Sequence, residues 1–339
     1  MAESLPEPLP EPLLRTEGLT RHFKIGSALS RGTLHAVDDV NLSIGAREIV
    51  ALAGESGSGK STIARLLAKV YRPTSGEIYF EGQPVSRIRS RRDLLRYRGD
   101  VPMVFQDPFS SLNPVHRAAH GLMRSLKLHR PDLSDSQRQT EAEAALEAVG
   151  LSPGEVLRRY PHELSGGQRQ RLGFAQALAL RPKLILADEP VSMLDVSIRI
   201  GLLNLMTGLR DNENVSILYI THDIASARYV ADRLVVMYAG QVAESGPVED
   251  VLSRPMHPYT QLLLSAVPDP RAPVSPDAGT DTGDPPRVID PTPGCRFRWR
   301  CPLAVDVCHQ TTPQLRELLP SHAAACHVAA PDLATKAFT

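Results

Sequence analysis

The stretch that decides the fold is Gly54-Glu55-Ser56-Gly57-Ser58-Gly59-Lys60-Ser61, with Thr62 directly after it. The run Ile49–Gly54 is apolar and predicts a strand that ends in a glycine loop, and Ser61–Val70 predicts a helix. Glycines let successive backbone N–H groups point inward around an anion, and the helix beginning near Lys60 adds its positive end. The stretch therefore predicts a phosphate-binding loop.

The loop also fits the pattern G-x-x-x-x-G-K-[ST], in which the lysine and the following hydroxyl act on a nucleoside triphosphate and its metal. We therefore expect Lys60 to reach the β- and γ-phosphates of ATP. We expect the Ser61 hydroxyl to ligate Mg²⁺. The predicted position between a strand and a helix is the context that this motif requires.

An acidic pair follows a second apolar run. Lys183–Asp188 predicts a buried parallel strand, and Glu189 comes directly after it. Functional groups collect where such strands end, so we expect Asp188 to hold Mg²⁺ and Glu189 to orient or deprotonate the attacking water. Taken alone, the pair would be explained equally well as a helix N-cap.

The pattern from Leu14 to about Ala266 alternates short apolar runs with helical stretches, which predicts an α/β fold. Together with the phosphate-loop motif, this fold predicts the P-loop NTPase class. Val215–Thr221 and Leu234–Tyr238 predict further buried strands. The segment Ser134–Val149 predicts an amphipathic helix within a helical insert at about 107–163. The expected organisation is a lead at 1–13, an ATPase domain at 14–266 and a small cysteine-containing extension at 267–339.

Leu164-Ser165-Gly166-Gly167-Gln168 narrows the class, and with this segment the sequence resembles ABC-type ATPases. A Ser-Gly-Gly turn at a helix start offers N–H groups and a hydroxyl to an anion. One chain cannot easily place this turn on its own phosphate loop. The resemblance implies a head-to-tail dimer that holds two ATP molecules between the partners.

The resemblance also implies roles for four further residues and covers roughly residues 14–330. Gln106 matches the glutamine that touches Mg²⁺ and the water and senses the membrane subunits. Asp195 matches the loop that contacts the partner ATPase. His222 matches the histidine that holds the γ-phosphate, and Phe23 matches the aromatic that stacks on adenine. Phe23 can equally be a core strand residue.

Three segments resemble the oligopeptide/dipeptide importer branch: Gln106–Pro114, the tetrapeptide His257-Pro258-Tyr259-Thr260, and the cysteine set Cys295, Cys301, Cys308 and Cys326. The residues around Asp195 are more similar to those of the second of the two ATPases that are usually paired in these importers. The resemblance implies a second ABC ATPase, two transmembrane permease subunits and an extracytoplasmic peptide-binding protein as partners. Related importers of nickel or another small solute, and soluble non-transport ABC ATPases, remain the alternatives.

The four cysteines lie close together in sequence, and several chemical roles are compatible with this grouping. Grouped thiolates can hold an iron–sulfur cluster or a structural zinc ion, or can remain free or form disulfides. The resemblance implies a [4Fe–4S] cluster in at least some members of the family.

Composition limits the location and the partners. The 339-residue chain has 38 basic and 38 acidic residues, so its balanced charge gives no reason to expect nucleic-acid binding. Its sequence holds no apolar run of about 18 residues, and the Pro/Glu-rich start is unlike a secretion signal. We therefore expect a peripheral protein on the cytoplasmic face of the cell membrane.

Overall fold

The structure is a computed structural model and describes residues 11–27, 30–107, 112–265 and 288–330. Residues 1–10 of the predicted lead at 1–13, the Pro108–Ser111 part of the importer segment, and residues 266–287 and 331–339 of the chain lie outside the described residues. Its strands are β1 (Leu14–Ser27), β2 (Ser30–Val40), β3 (Ser43–Ile44), β4 (Ile49–Ala53), β5 (Ser75–Phe80), β6 (Gln83–Pro84), β7 (Met103–Val104), β8 (Leu184–Asp188), β9 (Ser216–Thr221), β10 (Arg233–Tyr238), β11 (Gln241–Pro247), β12 (Arg316–Leu319) and β13 (His322–Ala324).

The described helices are α1 (Lys60–Leu67), α2 (Arg91–Asp100), α3 (Ala118–His129), α4 (Asp135–Ala148), α5 (Pro153–Val156), α6 (Gly166–Leu178), α7 (Val196–Glu213), α8 (Ile224–Val230), α9 (Val248–Ser253), α10 (Pro258–Ser265) and α11 (Asp306–Gln310). Short 3₁₀ turns lie at Val85–Arg87 and Pro161–Glu163. Within the described ranges, no helix combines the length and the apolarity needed to cross a bilayer.

The main sheet has the strand order β12-β13-β11-β10-β4-β9-β8-β7. Its five strands from β10 to β7 are parallel to their neighbours, which confirms the buried parallel strands predicted from the apolar runs. The carboxyl ends of these strands therefore meet at one edge of the sheet.

Both faces of this sheet are covered, and every residue of β4, β8 and β9 is buried. Successive side chains of a strand point to opposite faces. Ile49 and Ala51 accordingly pack into the core beneath the helices, whereas Val50 and Leu52 pack into a second core with α1. Burial on both sides explains why the strands are continuous apolar runs rather than alternating ones.

A second, antiparallel sheet covers the α1 side of the molecule, with the order β2-β1-β5-β6 and β3 paired to β1. Leu14 and Ile44 from this sheet share a core with Leu66 of α1. The sequence analysis did not predict this sheet. Its β1–β5 pairing joins segments far apart in the chain, and such pairing leaves no local periodic signal.

Between β7 and β8, the regular secondary structure of the described residues is helical. Helix α4 confirms the helix predicted at Ser134–Val149, and it begins at a capping box in which the Ser134 hydroxyl accepts from the Gln137 N–H while the Gln137 side chain accepts from the Ser134 N–H. Its core contacts include Ala142 and Leu146, which are fully buried.

The C-terminal extension joins the main sheet directly. Strand β13 pairs with β11 through Ala324 and Glu244, and Phe297 is 1% exposed in the main core. Met256 and Cys326 belong to a small third core beneath this strand. The extension is therefore attached by strand pairing and apolar burial, neither of which the sequence analysis foresaw.

Candidate active site

The predicted site residues lie at the carboxyl edge of the parallel strands. The phosphate loop follows β4, Glu189 follows β8, His222 follows β9, and Gln106 follows β7 two residues after its end. Adjacent strands thus bring together residues from four distant parts of the chain. This edge is where open α/β sheets place their ligands.

The phosphate loop needs glycine at both of its ends. Gly54 has φ 147° and Gly59 has φ 107°, a region that residues with side chains rarely adopt. A Cβ atom at Gly54 would lie 2.2 Å from the Met237 carbonyl oxygen, and one at Gly59 would lie 2.4 Å from that of Ala36. The neighbouring backbone leaves no room for a side chain, so the loop packs tightly against β2 and β10.

Lys60 is 4% exposed, and its ammonium group is held by the loop itself. Its Nζ donates to the carbonyl oxygens of Gly54 at 2.7 Å and Glu55 at 2.9 Å. Burial lowers the pKa of Lys60, while the charges of Glu189, Asp188 and Glu55 act in the opposite direction. A buried cation that rests on carbonyl oxygens can exchange them for phosphate oxygens.

The first turn of α1 leaves donors free for an anion. Ile63 is the first residue of this turn whose N–H bonds back to the loop, to the Gly59 carbonyl oxygen. The N–H groups of Lys60, Ser61 and Thr62 precede the first intrahelical bond, and the helix has no side-chain cap. These three N–H groups lie where the sequence analysis predicted an anion site.

Ser61 and Asp188 meet as expected for a shared metal. The Ser61 hydroxyl donates to Asp188 Oδ1 at 2.8 Å. Burial raises the pKa of Asp188, and the neighbouring Glu189 charge adds to this rise. A hydroxyl, a buried carboxylate and the amide oxygen of Gln106 are the oxygen ligands that Mg²⁺ prefers, so the residues present fit this ion.

Glu189 is the centre of the second half of the site. Its Oε2 accepts from Gln106 Nε2 at 2.9 Å and lies 3.2 Å from His222 Nδ1. Its backbone φ of 46° is left-handed, and its N–H donates to the Ile220 carbonyl oxygen. Glu189 thus contacts both of the other polar side chains, and together with His222 it lines a cavity of about 270 Å³.

The turn Ser165–Gln168 caps its own helix. The Ser165 hydroxyl accepts from the Gln168 N–H at 3.2 Å, and the Gln168 side chain accepts from the Ser165 N–H at 3.0 Å. Gly166 faces Leu194 and Gly167 faces Ile198 of α7. Across the described residues, no hydrogen bond or ion pair joins this turn to the phosphate loop.

Asp195 and Phe23 take no part in the contacts described above for the phosphate loop. Asp195 is exposed at the N-terminus of α7 and makes no side-chain cap. Phe23, on β1, is half-buried, with its ring edge-to-face to Tyr71 at 5.5 Å and the Arg21 guanidinium 4.4 Å from its centre. The structure gives neither residue a contact that tests its predicted role.

Known families and relatives of this chain agree with the site that the structure shows. Residues 37–192 match the ABC transporter family, and residues 243–308 match the family described as oligopeptide/dipeptide transporter, C-terminal region. An ATP-binding protein of Brucella ovis, named for peptide import, is 44% identical over 93% of this chain and 97% of its own length. The chain belongs to the ABC transporter family.

Further relatives agree with this assignment. The oligopeptide transport ATP-binding protein AppF of Bacillus subtilis is 41% identical over 94% of this chain and 98% of its own length. Among solved structures, the dimeric ATP-binding cassette MJ0796 with ADP and Pi is 30% identical, with a TM-score of 0.62 over 69% of this chain and 98% of that one. The protein cbiO1 of Clostridium perfringens is 26% identical, with a TM-score of 0.61 over 71% and 90%.

The sequence analysis missed one set of contacts in this ABC transporter protein. Arg300, from the extension, donates from Nη1 and Nη2 to the Glu55 carboxylate, at 3.0 Å each. The Glu55 N–H donates to the Tyr259 hydroxyl at 2.9 Å. The importer tetrapeptide that contains Tyr259 was the only signal in the sequence, and it gave no indication of a contact with the phosphate loop.

A second connection between the extension and the core lies at Asp38 of β2. Its carboxylate bonds to His22 at 3.1 Å and to His35 at 3.0 Å, and it also accepts from Arg296. One nitrogen each of His22 and His35 and one carboxylate oxygen of Asp38 lie within 4.8 Å of one another, as they would around a metal ion. Because Arg296 already neutralises the carboxylate, the arrangement is satisfied as an ion-pair network, which joins the extension to β2.

The four cysteines are free and come together in the extension. Burial raises the pKa of Cys295 and of Cys301 to about 11, and the neighbouring thiols Cys308 and Cys326 add to both shifts. Within the described ranges, no three cysteine sulfurs lie within 4.8 Å of one another. Thiolates are ligands both for a zinc ion and for a [4Fe–4S] cluster, so the chemistry of the four side chains fits either group.

Proposed function

We propose that this chain is the ATP-hydrolysing subunit of an ABC importer of di- and oligopeptides. The observation that carries the proposal is the contact of Glu189 with both Gln106 and His222, next to the buried Lys60 of the phosphate loop. The relatives named for peptide import and the match to the oligopeptide/dipeptide transporter C-terminal region support the substrate class.

In the proposed reaction, the phosphate loop from Gly54 to Thr62 binds the triphosphate, and Phe23 stacks on adenine. Ser61, Asp188 and Gln106 would hold Mg²⁺, which screens the charge that develops on the phosphates. Glu189 accepts the proton of the attacking water, and His222 donates to the γ-phosphate. The pair of contacts on Glu189 fixes the direction of its carboxylate before the water arrives.

The site is completed by a partner subunit. Ser165 is exposed, and within the described residues no hydrogen bond or ion pair joins the Ser165–Gln168 turn to its own phosphate loop, so the turn is available to a nucleotide bound by a second ATPase. Asp195 at the start of α7 would lie in the same interface. The dimeric form of the related cassette MJ0796 supports this arrangement.

A groove along α3 is the proposed docking site for the permease subunits. A cavity of about 410 Å³ is lined by Arg117 and Arg124 and by the stacked rings of His116 and His120. Its basic lining fits a short permease helix with acidic side chains. Gln176 and Ser125 also line a neighbouring cavity at Phe105, directly before Gln106. Docking there would reach the catalytic glutamine.

The remaining assignments follow from the importer proposal. The partners are a second ABC ATPase, two transmembrane permeases and an extracytoplasmic peptide-binding protein, and the chain sits on the cytoplasmic face of the cell membrane. We divide it into a lead at 1–13, an ATPase domain at 14–266 with a helical subdomain at about 107–163, and an extension at 267–339. The extension would hold a [4Fe–4S] cluster on Cys295, Cys301, Cys308 and Cys326.

The ATPase role is tested in the complete importer, reassembled in vesicles with its partners. Lys60→Ala should abolish MgATP binding, whereas Glu189→Gln should bind MgATP and lose at least about 100-fold in hydrolysis. Glu213→Gln, an exposed carboxylate at the end of α7, is the matched control and should hydrolyse normally. Wild-type hydrolysis by Glu189→Gln would refute the catalytic role, and stimulation by nickel instead of peptide would refute the substrate class.

The cluster is tested separately on anaerobically purified protein. A brown protein with about four irons per chain would support it. Stoichiometric zinc without iron, or no metal at all, would rule it out.

A further inference from the structure

The phosphate loop of this chain is braced by the C-terminal extension. The Glu55 carboxylate takes both donors of the Arg300 fork at 3.0 Å, and the two side chains are only 24% and 11% exposed. The Glu55 N–H is also taken, by the Tyr259 hydroxyl. Backbone and side chain of one loop residue are therefore both held by residues more than two hundred positions later.

An aromatic setting fixes the direction of the Arg300 fork. Its guanidinium lies 5.6 Å from the ring centre of Tyr238 and 5.7 Å from that of Phe297, and it donates to the Tyr238 hydroxyl at 3.3 Å. Tyr259 packs on both rings, at 4.5 and 5.5 Å. A planar fork held between packed rings loses little freedom when it binds a carboxylate, so the pair is strong for its exposure.

Glu55 is an acid in a loop that binds a polyanion. Its carbonyl oxygen accepts from Lys60 Nζ at 2.9 Å, and its carboxylate is among the charges that act on the pKa of Lys60. The electrostatic influence of Glu55 therefore reaches the group that meets the phosphates. Left unpaired, this carboxylate would repel a triphosphate at short range and in a partly buried setting, where screening by water is weak.

We propose that Arg300 is a positioning residue for nucleotide binding: it neutralises Glu55 and holds its carboxylate on the extension side of the phosphate loop. The inference rests on the proposed function, in that the loop binds MgATP. It gives the extension a part in the ATPase cycle, because Arg300 directly precedes Cys301 and any change in the fold of the cysteine segment would move the brace.

The test is a cycle of charge-removing variants, measured as MgATP and MgADP affinity of the full-length chain by titration calorimetry. Arg300→Gln should weaken MgATP binding about tenfold, the value expected for loss of a charged hydrogen-bonded pair. The loss should be smaller for MgADP, which carries less negative charge. The double variant Glu55→Gln/Arg300→Gln should regain most of the MgATP affinity, because the repelling charge has gone.

Arg298→Gln is the matched control, since this arginine lies on the same segment but bonds to Cys295 and Thr292 instead of the phosphate loop. It should bind MgATP as the wild type does. Arg300→Lys keeps the charge and should retain most of the affinity. If Arg300→Gln does not fold, an Arg300→Lys protein that binds MgATP about tenfold more weakly than wild type would overturn the inference.

Three results would overturn the inference. They are wild-type MgATP affinity in Arg300→Gln, equal losses for MgATP and MgADP, and a double variant or an Arg300→Lys protein as weak as Arg300→Gln. Failure of the wild type to bind MgATP, or binding that survives Lys60→Ala, would instead refute the proposed function, so the two failures are distinguishable.

Discussion

Gly59 shows how one residue without a side chain supports the phosphate loop. It ends the loop, begins α1 and lies against the backbone of β2, where a Cβ would come within 2.4 Å of the Ala36 carbonyl oxygen. Its φ of 107° adds a conformational cost for any other residue. The glycine thus sets how closely the antiparallel sheet approaches the nucleotide site.

We predict that Gly59→Ala lowers the free energy of unfolding by roughly 3 kcal/mol, since it combines a forbidden φ with a backbone clash. Urea unfolding of the nucleotide-free chain measures the change. Gly154→Ala is the control, because nothing lies within 4 Å of a Cβ there, and it should stay within about 0.5 kcal/mol of wild type. Equal stability of Gly59→Ala and wild type would show that β2 shifts away from the added methyl group at little cost in free energy.

Two helices of this chain begin with the same serine capping box, and only one of them is proposed to touch a nucleotide. Ser134 caps α4 within the helical part, and Ser165 caps α6. Both serines are exposed and both pair with a glutamine three residues later. Comparing variants of Ser134 and Ser165 therefore distinguishes the contribution of a helix cap to stability from a contribution to ATP binding across a dimer.

We predict that Ser134→Ala and Ser165→Ala each cost about 1 kcal/mol of stability, because each removes one hydroxyl acceptor from a helix N-terminus. Only Ser165→Ala should slow ATP hydrolysis by the assembled importer. Chemical denaturation and steady-state ATPase assays check the two parts. A similar ATPase loss in both variants would mean that the turn acts through helix stability alone.

At the scale of the whole molecule, the extension is held to the main sheet by a buried polar centre. Glu244 is fully buried in β11 and accepts from the N–H groups of Met256 and His257 at 2.8 and 2.9 Å. His322 of β13 bonds to the same carboxylate at 2.7 Å. The carboxylate therefore ties β11, β13 and the start of α10 together.

His257 makes this junction sensitive to acid. Burial lowers the pKa of His257 from 6.5 to about 4, although the Glu244 charge opposes the shift. Its Nδ1 accepts from the Tyr259 N–H at 3.0 Å, a bond that a protonated ring cannot make. The folded state therefore prefers the neutral ring, and the unfolded chain binds the proton more readily.

We predict that the stability contributed by the neutral His257 ring is fully present above pH 6.5 and is lost as the pH falls towards 4. The free energy of unfolding should therefore fall by roughly 3 kcal/mol over this range. His257→Asn keeps an acceptor near Nδ1 but cannot titrate in this range. Urea unfolding at pH 7, 5.5 and 4 should therefore give a flatter curve for the variant than for wild type. Parallel curves would place the acid sensitivity elsewhere.

The sequence by itself determined the features that depend on neighbouring residues. Glycine spacing with Lys60 predicted the phosphate loop, apolar runs predicted the parallel strands, and the end of one strand predicted roles for Asp188 and Glu189, whereas the role of His222 came from the family resemblance. Apolar spacing predicted the helix at Ser134–Val149. In each case backbone geometry and strand direction act locally, so the pattern is written in consecutive residues.

Only the tertiary structure decided the contacts between segments that lie far apart in the chain. These include the antiparallel sheet of β1 and β5, the attachment of β13 to β11, and the hold of Arg300 on Glu55. An arginine on a proline-rich segment can pair with any exposed acid, and it is the packing of Phe297 between Tyr238 and Tyr259 that brings it to the phosphate loop. Side-chain packing selects such partners, and it leaves no periodic trace in the sequence.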